Sequence, residues 1–543
     1  MEIIIKSGMN EQQLRQELAD ISGISAFEFL GQGFALIEIL PEMTDILYSL
    51  DFIEDIEFPK NVFTNSMSGM ISSCIRSAQE ESSFGLTGEG VIVGIVDTGI
   101  DYTHPDFRNE QGGTRILYFR DQSDTSAVQE GAFPGREYTS DELNSAIFSD
   151  NPFSVTGIPD PSGHGTAVAG IAAGGGTVDT SKKGAAPEAS IIAVKVKPSG
   201  SDFSRSTELM RAVKYIIDKA SFLRRPAAIN ISYGMNEGSH KGDSLFEEYL
   251  TAVSSVWKTS IVIPTGNEGG AGHHYSGRIK TGETKNVEFF TSAGLSSFYL
   301  SMWKNFADDF SVELILPGGK STGIITPITP VTNIRTNGLS LTVVYGEPTR
   351  YSTSQEIFFN IKAEGDFIPN ALWNLRIRAD TAADGSFDIW LPTVEEVTTG
   401  TYFSSPDNYA TLTIPSTSLK VIRVAGYNDT LLSAAEFSGV GWNNAALPLP
   451  DIAAPSVNIT APVPGGGYAN FTGTSFAAPF VTGTAALMMQ LGIIMGRSPF
   501  MYGEKLKAYL RRGAVRASGT IYPNPVSGYG RLCAADTISL IMM

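Results

Sequence analysis

Two hydrophobic patterns along the chain predict two kinds of β-structure. Residues 91–96 form a short, nearly continuous apolar run, which is typical of a strand buried on both faces of a parallel sheet. Residues 276–415 instead contain many short apolar or alternating runs separated by Gly, Pro, Asn and Asp, which is typical of a β-sandwich or jelly roll. The pattern therefore predicts an α/β chain with a doubly wound parallel sheet and an inserted β-rich segment. The runs in that segment include 287–290, 298–302, 310–316, 341–345, 356–361, 373–378 and 386–391.

The start of the chain has a pattern of its own. Residues 11–20 are predicted to form a helix, and residues 34–40 and 50–58 are predicted to form short strands. Farther along, residues 121–154 are rich in Asp, Ser, Gly and Pro, and this composition predicts a surface excursion.

An Asp, a His and a Ser each lie among glycines where predicted elements begin or end. Asp97 follows the apolar run 91–96, at the carboxyl end of a strand, where open α/β sheets place their ligand crevices. His164 lies between two glycines at the start of a small-residue stretch, which predicts a closely packed helix. Ser475 is predicted to open a helix, since Pro479 is harmless in a first helical turn. Asp, His and Ser are the residues of a base-activated serine nucleophile.

Asn267 lies in a Gly-rich turn after a predicted strand within residues 261–270. Beside a serine nucleophile, its side-chain amide could donate a hydrogen bond to an oxyanion, and losing such a donor typically costs roughly 3–4 kcal/mol of transition-state stabilisation. The alternative is a plain turn residue that tolerates a positive φ. Taken by itself, Asn267 fits the alternative more often.

Three sequence strings resemble the signatures of the subtilisin-like serine proteases, the subtilases, and occur in that family's order. They are Asp-Thr-Gly at 97–99, Gly-His-Gly-Thr at 163–166 and Gly-Thr-Ser-Phe-Ala-Ala-Pro at 473–479. The resemblance implies that Asp97 orients and charge-stabilises the imidazole, that His164 is the general base and acid, and that Ser475 is the nucleophile. It also implies that Asn267 supports the oxyanion. Phe480 departs from the family, in which many members carry His after the proline, but this position lies outside the catalytic trio.

The same resemblance implies where a protein or peptide substrate binds. Residues 229–234 resemble the family's substrate-binding edge, where a substrate backbone is added as an antiparallel strand. The alternative is a plain buried strand. The substrate-binding residues would be Ser232, Tyr233, Gly234, Thr265 and Gly266, the last two in the pocket for the residue before the scissile bond.

The resemblance also divides the chain into domains. The first would be an α/β propeptide that acts as folding chaperone and inhibitor, with its junction at residues 63–67; the alternative is an ordinary N-terminal subdomain. Between Asn267 and Ser475 lie 475 − 267 = 208 positions, far more than the minimal fold needs, so this stretch would hold the β insert. The predicted domains are residues 1–66, 67–275, 276–419 and 420–543, of which the second and fourth form the protease.

A propeptide-like start, a β-rich insertion and the lack of a secretory signal together resemble the Csp group, the germination proteases of anaerobic spore formers. In that group some members keep the triad and process a cortex-lytic zymogen, whereas others have lost it and act as pseudoproteases. This chain keeps Asp97, His164 and Ser475, which favours activity. The predicted function is a serine endopeptidase made as a self-inhibited, self-processed precursor. The alternative is a catalytically idle binding or scaffold protein.

Composition narrows the expected partners and location. The 543 residues include 39 Lys and Arg and 57 Asp and Glu, a net charge of 39 − 57 = −18, which argues against nucleic acid or an anionic membrane as a partner. The start lacks a basic and then apolar signal segment, and no run has transmembrane length, so we expect a cytoplasmic or spore-associated protein. Cys74 and Cys533 are far apart in sequence and are expected to be free thiols.

No metal or cofactor is predicted for catalysis. His104 follows the Asp97 strand in a string that is common in the family, and it is expected to be structural. His273 and His274 are adjacent, so on an extended chain they would point to opposite sides, which argues against a shared metal. Calcium occurs as a structural ion in the family, and residues 174–183 are a weak candidate for its ligand loop.

Overall fold

The computed structural model divides the chain into two compact units, Met1–Thr64 and Asn65–Met543. It describes residues 2–57, 68–124, 135–157, 159–198, 204–365, 367–397, 399–444 and 446–543. The predicted junction at residues 63–67 lies outside the described residues.

The described part of the first unit is a small α/β fold. Its elements are β1 (Glu2–Lys6), α1 (Glu11–Ala19), β2 (Ile24–Gly31), β3 (Phe34–Ile39), a 3-10 helix (Pro41–Ser49) and β4 (Asp55–Glu57). The strands pair antiparallel in the order β2-β3-β1-β4. Leu14 and Leu18 of α1 share one core with Ile3, Ile5 and Ile37 of the sheet, so burial of one helix face holds this fold together.

Local signals account for part of this unit. α1 begins where the sequence predicts it because Asn10 and Gln13 form a capping box, in which each side chain accepts a hydrogen bond from the other's backbone N–H. The strand predicted at 34–40 is β3, whereas the one predicted at 50–58 is limited to β4 among the described residues. The sequence pattern did not predict β1 and β2, which are stabilised by pairing with β3.

The elements between residues 68 and 264 are strands and helices of the first part of the second unit. They are α2 (Ser68–Ser72), α3 (Ile75–Gln79), β5 (Ile92–Asp97), β6 (Ile116–Asp121), β7 (Arg136–Thr139), α4 (Ser140–Ile147), α5 (Phe153–Thr156), α6 (His164–Ala173), β8 (Ser190–Lys195), α7 (Ser206–Phe222), β9 (Ala227–Ile231), α8 (Leu245–Val253) and β10 (Thr259–Pro264). Short 3-10 helices lie at Pro105–Phe107 and Thr180–Lys182. The prediction that residues 121–154 are only a surface excursion is wrong, because α4 buries Leu143 and Ala146 beside β6 and β7.

The later elements fall into two groups. The first group consists of the strands β11 (His274–Arg278), β12 (Thr284–Phe290), β13 (Ser297–Asn305), β14 (Asp309–Ile315), β15 (Val331–Thr336), β16 (Leu339–Tyr345), β17 (Ser354–Ala363), β18 (Leu372–Thr381), β19 (Ser386–Trp390) and β20 (Tyr402–Phe403). The second group consists of β21 (Ile422–Asn428), β22 (Ser433–Ala434), β23 (Ile452–Pro455), β24 (Ile459–Pro462), β25 (Tyr468–Phe471), a 3-10 turn (Thr474–Phe476), α9 (Ala478–Met489), a π-helical turn (Gln490–Ile494), α10 (Gly503–Arg512) and α11 (Ala534–Met542).

The central sheet of the second unit is parallel in its middle. Over the described residues its order is β22-β21-β10-β9-β5-β8-β6-β7, with β23 also paired to β21. The pairs among β6, β8, β5, β9, β10, β21 and β23 are parallel, while β7 and β22 add antiparallel pairs. The carboxyl ends of β5, β9 and β10 therefore meet at one edge, where doubly wound folds bind ligands.

Helices cover both faces of this sheet. Val93 and Ile95 of β5 belong to a core shared with α6 and α9, whereas the alternating Ile92 and Val96 belong to a core shared with α7 and α8. The packing of α6 is close, as its small residues predict, because a Cβ at Gly165 would lie 2.1 Å from the carbonyl oxygen of Gly99. A one-carbon side chain at that position would push the helix away from the end of β5.

The strands between residues 274 and 403 form two antiparallel sheets around a core of their own. The described strands are ordered β11-β19-β13-β17-β16-β15 in one sheet and β14-β18-β12-β20 in the other. Phe289 and Trp373 from the second sheet share this core with Phe359 and Phe387 from the first. The chain thus leaves the parallel sheet after β10 and re-enters it at β21.

Two expectations from the sequence are wrong. Cys74 and Cys533 are joined by a disulfide, with their Cα atoms 4.8 Å apart across a sequence separation of 459 residues; the fold brings α3 and α11 together, and no local pattern reveals that contact. Among the described residues, the continuous helix Thr474–Ile494 is also long and apolar enough to cross a membrane. Since 89% of its apolar window is buried inside the fold, packing against the sheet accounts for this composition.

Candidate active site

Asp97 and His164 form a close hydrogen-bonded pair. Asp97 is the last residue of β5 and His164 the first residue of α6, and the distance between Asp97 Oδ1 and His164 Nδ1 is 2.7 Å. The carboxylate is buried, whereas the imidazole keeps 29% of its side-chain surface exposed. Because Nδ1 is turned to the carboxylate, Nε2 is the nitrogen left to exchange a proton with a reacting group.

A second buried carboxylate, which the sequence analysis missed, supports this pair. Asp160 Oδ2 accepts hydrogen bonds from the N–H and the hydroxyl of Thr166 at 2.8 and 2.6 Å. Asp160 Oδ1 accepts the hydroxyl of Thr98, the residue after Asp97, at 2.8 Å. Asp160 therefore ties the end of the Asp97 strand to the first turn of the helix that begins at His164.

The electrostatics of the pair favour the protonated imidazole. Burial lowers the pKa of His164. The charge and hydrogen bond of Asp97, with the charges of Asp160 and Glu395, raise that pKa by more, so its net shift is upward from 6.5. An imidazolium formed when His164 takes a proton is thus stabilised by nearby carboxylates.

Ser475 lies in the 3-10 turn Thr474–Phe476 that leads into α9. The ring of Phe476 lies 5.3 Å from that of His164, and the hydroxyl of Ser232 is 3.5 Å from the carbonyl oxygen of Ser475. Over the residues described, no hydrogen bond joins the Ser475 hydroxyl to His164; in free enzymes this contact is often long and tightens with substrate. The turn that carries Ser475 therefore lies beside the ring of His164.

Asn267 follows β10, and hydrogen bonds to both the oxygen and the nitrogen of its side-chain amide fix its orientation. Its Oδ1 accepts hydrogen bonds from the N–H and the hydroxyl of Thr474, both at 3.1 Å, and its Nδ2 donates to Glu395 Oε1 at 3.1 Å. The positive φ in this turn belongs to Gly266, and Asn267 has none. Asn267 is therefore not needed here for its tolerance of a positive φ, and its amide is held next to the Ser475 turn.

Glu395, which the sequence analysis also missed, is carried by the segment that follows β19. Glu268, the neighbour of Asn267, accepts a hydrogen bond from the N–H of Val394 at 3.0 Å. The same carboxylate lies 2.7 Å from Nδ1 of His273, whose Nε2 is 2.8 Å from the carbonyl oxygen of Thr401. Glu268 thereby links residues 394 and 401, the latter through His273, to the strand end that bears Asn267.

His104 and His274 contact groups other than the partners of His273. His104 is buried, and its Nδ1 accepts the N–H of Asp106 at 3.2 Å, as expected for a structural residue. His274 Nε2 lies 3.2 Å from Asp388 and its ring stacks on Trp390, away from the partners of His273.

Comparison with known proteins identifies the family. The sequence profile of the subtilase family matches residues 88–355 and 394–530. The chain belongs to the subtilase family. It is also similar to a solved structure, the CspB protease of Clostridium perfringens, with 36% sequence identity, a TM-score of 0.81, and coverage of 88% of this chain and 98% of that one. The resemblance to subtilases and to the Csp group, and the subtilisin-like fold, are thus confirmed.

Curated relatives share the family at lower identity. The PII-type proteinase of Lactococcus lactis subsp. cremoris is 25% identical over 495 residues, which cover 78% of this chain and 24% of the relative. The minor extracellular protease Vpr of Bacillus subtilis is 25% identical over 83% of this chain and 52% of its own length. The chain spans about a quarter of the length of the first of these relatives.

In this subtilase the predicted substrate-binding residues lie on two neighbouring strand ends. Ser232, Tyr233 and Gly234 follow β9, and Thr265 and Gly266 follow β10. β9 and β10 are paired in parallel, so both segments leave the sheet at the edge that holds Asp97. β9 itself is fully buried and ends at Ile231, before these residues.

Proposed function

We propose that this subtilase is a serine endopeptidase that hydrolyses peptide bonds of a protein or peptide substrate through an acyl-enzyme. The observation that carries the proposal is the 2.7 Å hydrogen bond from His164 Nδ1 to Asp97 Oδ1, next to the turn that bears Ser475. The family membership and the similarity to a protease of known structure support it.

In the proposed acylation, the Ser475 oxygen attacks the substrate carbonyl carbon while Nε2 of His164 takes its proton. The imidazolium is stabilised by Asp97, which stays ionised. The oxyanion accepts hydrogen bonds from the backbone N–H of Ser475 and from Nδ2 of Asn267. His164 then protonates the leaving amine as the carbon–nitrogen bond breaks, and the acyl group remains on Ser475.

Deacylation repeats the sequence with water as nucleophile. His164 takes a proton from the water as it attacks the ester carbonyl, and then returns it to the Ser475 oxygen as the ester bond breaks. Every group in these steps belongs to the chain, to the substrate or to water, so no cofactor is part of the proposal. We likewise propose that neither nucleic acid nor a membrane is a partner, which the net charge of −18 supports, and that the protein is cytoplasmic or spore-associated.

The precursor organisation is part of the same proposal. Residues 1–66 would be an α/β propeptide that the enzyme removes from itself; the unit boundary between Thr64 and Asn65, within the predicted junction, supports this. Residues 276–419 would be a jelly-roll-like insert, which is supported by the two antiparallel sheets around one core.

The decisive test is labelling of the purified full chain with a fluorophosphonate, together with hydrolysis of an unfolded protein. The wild type should be labelled at Ser475 and should hydrolyse, and Ser475→Ala should do neither while keeping its fold, because the substitution is small. Ser145→Ala, at an exposed serine of α4, is the matched control and should behave as wild type.

Two results would contradict the proposal. Hydrolysis by Ser475→Ala at the wild-type rate would show that the nucleophile is another residue. A folded wild-type chain that neither labels nor hydrolyses, even after its N-terminal segment has been cleaved, would favour the catalytically idle binding protein.

A further inference from the structure

One threonine side chain lies between the two segments that carry the predicted substrate-binding residues. Thr413 is 3% exposed, and its N–H donates to the carbonyl oxygen of Thr265 at 3.0 Å. The next residue, Ile414, exchanges two backbone hydrogen bonds of 2.9 Å with Met235. The segment at 413–414 therefore bridges the strand end after β9 and the strand end after β10.

The side chain of Thr413 fills the space that faces both glycines of these segments. A Cβ placed on Gly234 would lie 2.6 Å from Thr413 Oγ1, and a Cβ placed on Gly266 would lie 2.4 Å from both Oγ1 and Cγ2. Real Cβ atoms do not approach that closely. The hydroxyl and methyl group of Thr413 are thus packed directly against the backbone of both segments.

The backbone of Thr413 has little freedom to retreat. Its carbonyl oxygen accepts the hydroxyl of Ser416 at 2.6 Å, and the carbonyl oxygen of Ser416 in turn accepts from Nε of Arg423 in β21 at 3.0 Å. Together with the bonds to Thr265 and through Ile414, these contacts hold the residue from both strand ends and from the sheet. A large substrate side chain placed between the two segments would therefore contact Thr413, which cannot move away.

We infer that Thr413 shortens the pocket for the residue before the scissile bond, so that the enzyme accepts Gly, Ala or Ser there and discriminates against Leu, Met and Phe. The inference rests on the proposed function and names the substrate class of that site. One methylene group more or less in a hydrophobic pocket typically changes kcat/KM by roughly 10–200-fold. Within the predicted junction at residues 63–67, the residue of this class is Ser66, so self-processing should occur after Ser66 and not after Phe63.

The test uses the full chain and two readouts. A peptide library is digested, and mass spectrometry identifies the residue before each cleaved bond. Two peptides that differ only in Ala or Phe at that position then give the ratio of kcat/KM values. The wild type should favour Ala by at least about tenfold. Thr413→Gly should raise kcat/KM for the Phe peptide by at least about tenfold and change the Ala peptide little.

Two variants test whether the volume of the Thr413 side chain sets the preference, and not its hydroxyl or a general change in this segment. Thr413→Val keeps the shape of the side chain without its hydroxyl and should retain the preference for Ala. Thr411→Val alters a buried threonine of the same segment, whose hydroxyl accepts the N–H of Val440 at 2.8 Å, and should leave the Ala-to-Phe ratio unchanged. Each ratio compares the Ala and Phe peptides on the same variant. A lower concentration of folded protein therefore reduces both rates equally and leaves the ratio unchanged.

Failure of the proposed function and failure of the inference give different results. If Ser475 is not labelled by the fluorophosphonate in any form of the chain, the proposed function fails. If Ser475 is labelled and the wild type cleaves after Leu or Phe as well as after Ala, or if Thr413→Gly leaves the ratio unchanged, the role of Thr413 is overturned and the protease assignment stands.

Discussion

The side-chain amide of Asn267 donates a 3.1 Å hydrogen bond to Glu395, so a carboxylate from the end of the insert lies against the group that we propose stabilises the oxyanion. The same carboxylate is among the charges that raise the pKa of His164. Glu395 thereby connects the insert to the proposed chemistry at the oxyanion donor and at the base.

Asn267→Ala should lower kcat by about 10²–10³-fold with little effect on KM, because the oxyanion exists only in the transition state. Steady-state kinetics on one peptide give both constants, and fluorophosphonate titration gives the concentration of intact sites. A change confined to KM would make Asn267 a substrate-binding residue instead.

The pH profile should report His164. Only the neutral imidazole accepts the proton of Ser475, so kcat/KM should rise with pH and level off above the pKa of His164. Because the net effect of burial and of the surrounding carboxylates is to raise that pKa, the midpoint should lie above 6.5, the ordinary value. A profile that is flat from about pH 5 to 8, where histidine normally titrates, would argue against a histidine base.

Glu395→Gln should move the same midpoint to lower pH, since it removes a negative charge that stabilises the imidazolium. Exposed charge pairs contribute about 0.2–1 kcal/mol, and one pKa unit corresponds to about 1.4 kcal/mol, so the shift should be a few tenths of a pH unit. The value of kcat should rise, because a carboxylate beside the developing oxyanion is repulsive. Glu347→Gln, at an exposed glutamate elsewhere in the insert, is the control. An unchanged midpoint and kcat in Glu395→Gln would show that the carboxylate does not act on the site.

Processing of the N-terminal segment should occur in cis. A tethered cleavage needs no diffusional encounter, so its rate should be first order and independent of protein concentration. The freed segment should stay bound and copurify. Intact-mass analysis should show two fragments for the wild type and one chain for Ser475→Ala. An unprocessed wild-type chain that hydrolyses large substrates would leave residues 1–66 as a plain structural subdomain.

The sequence could place each proposed reacting group at the end of a strand or the start of a helix because each has a local signal. The fully apolar run before Asp97 could only be buried, and α6 could be recognised by its small residues, which allow the close approach of Gly165 to Gly99. Alternation of apolar residues likewise predicted most strands of the insert. Less could be said of residues 121–154, where a polar composition conceals the amphipathic helix α4.

What the sequence alone determined, then, is the family and the parallel sheet with its inserted β-strands, and it supplied Asp97, His164, Ser475 and Asn267 as the residues of the proposed site. Hydrophobic periodicity and turn residues are properties of neighbouring positions, and they can be interpreted without a partner. Tertiary structure decided the contacts between distant segments. Glu395 reaches Asn267 across 128 positions, and Cys74 reaches Cys533 across 459. The placement of Thr413 between Gly234 and Gly266 belongs to the same class. Such contacts depend on how the sheet, the helices and the insert pack in three dimensions, and neighbouring residues in the chain carry no pattern that reveals them.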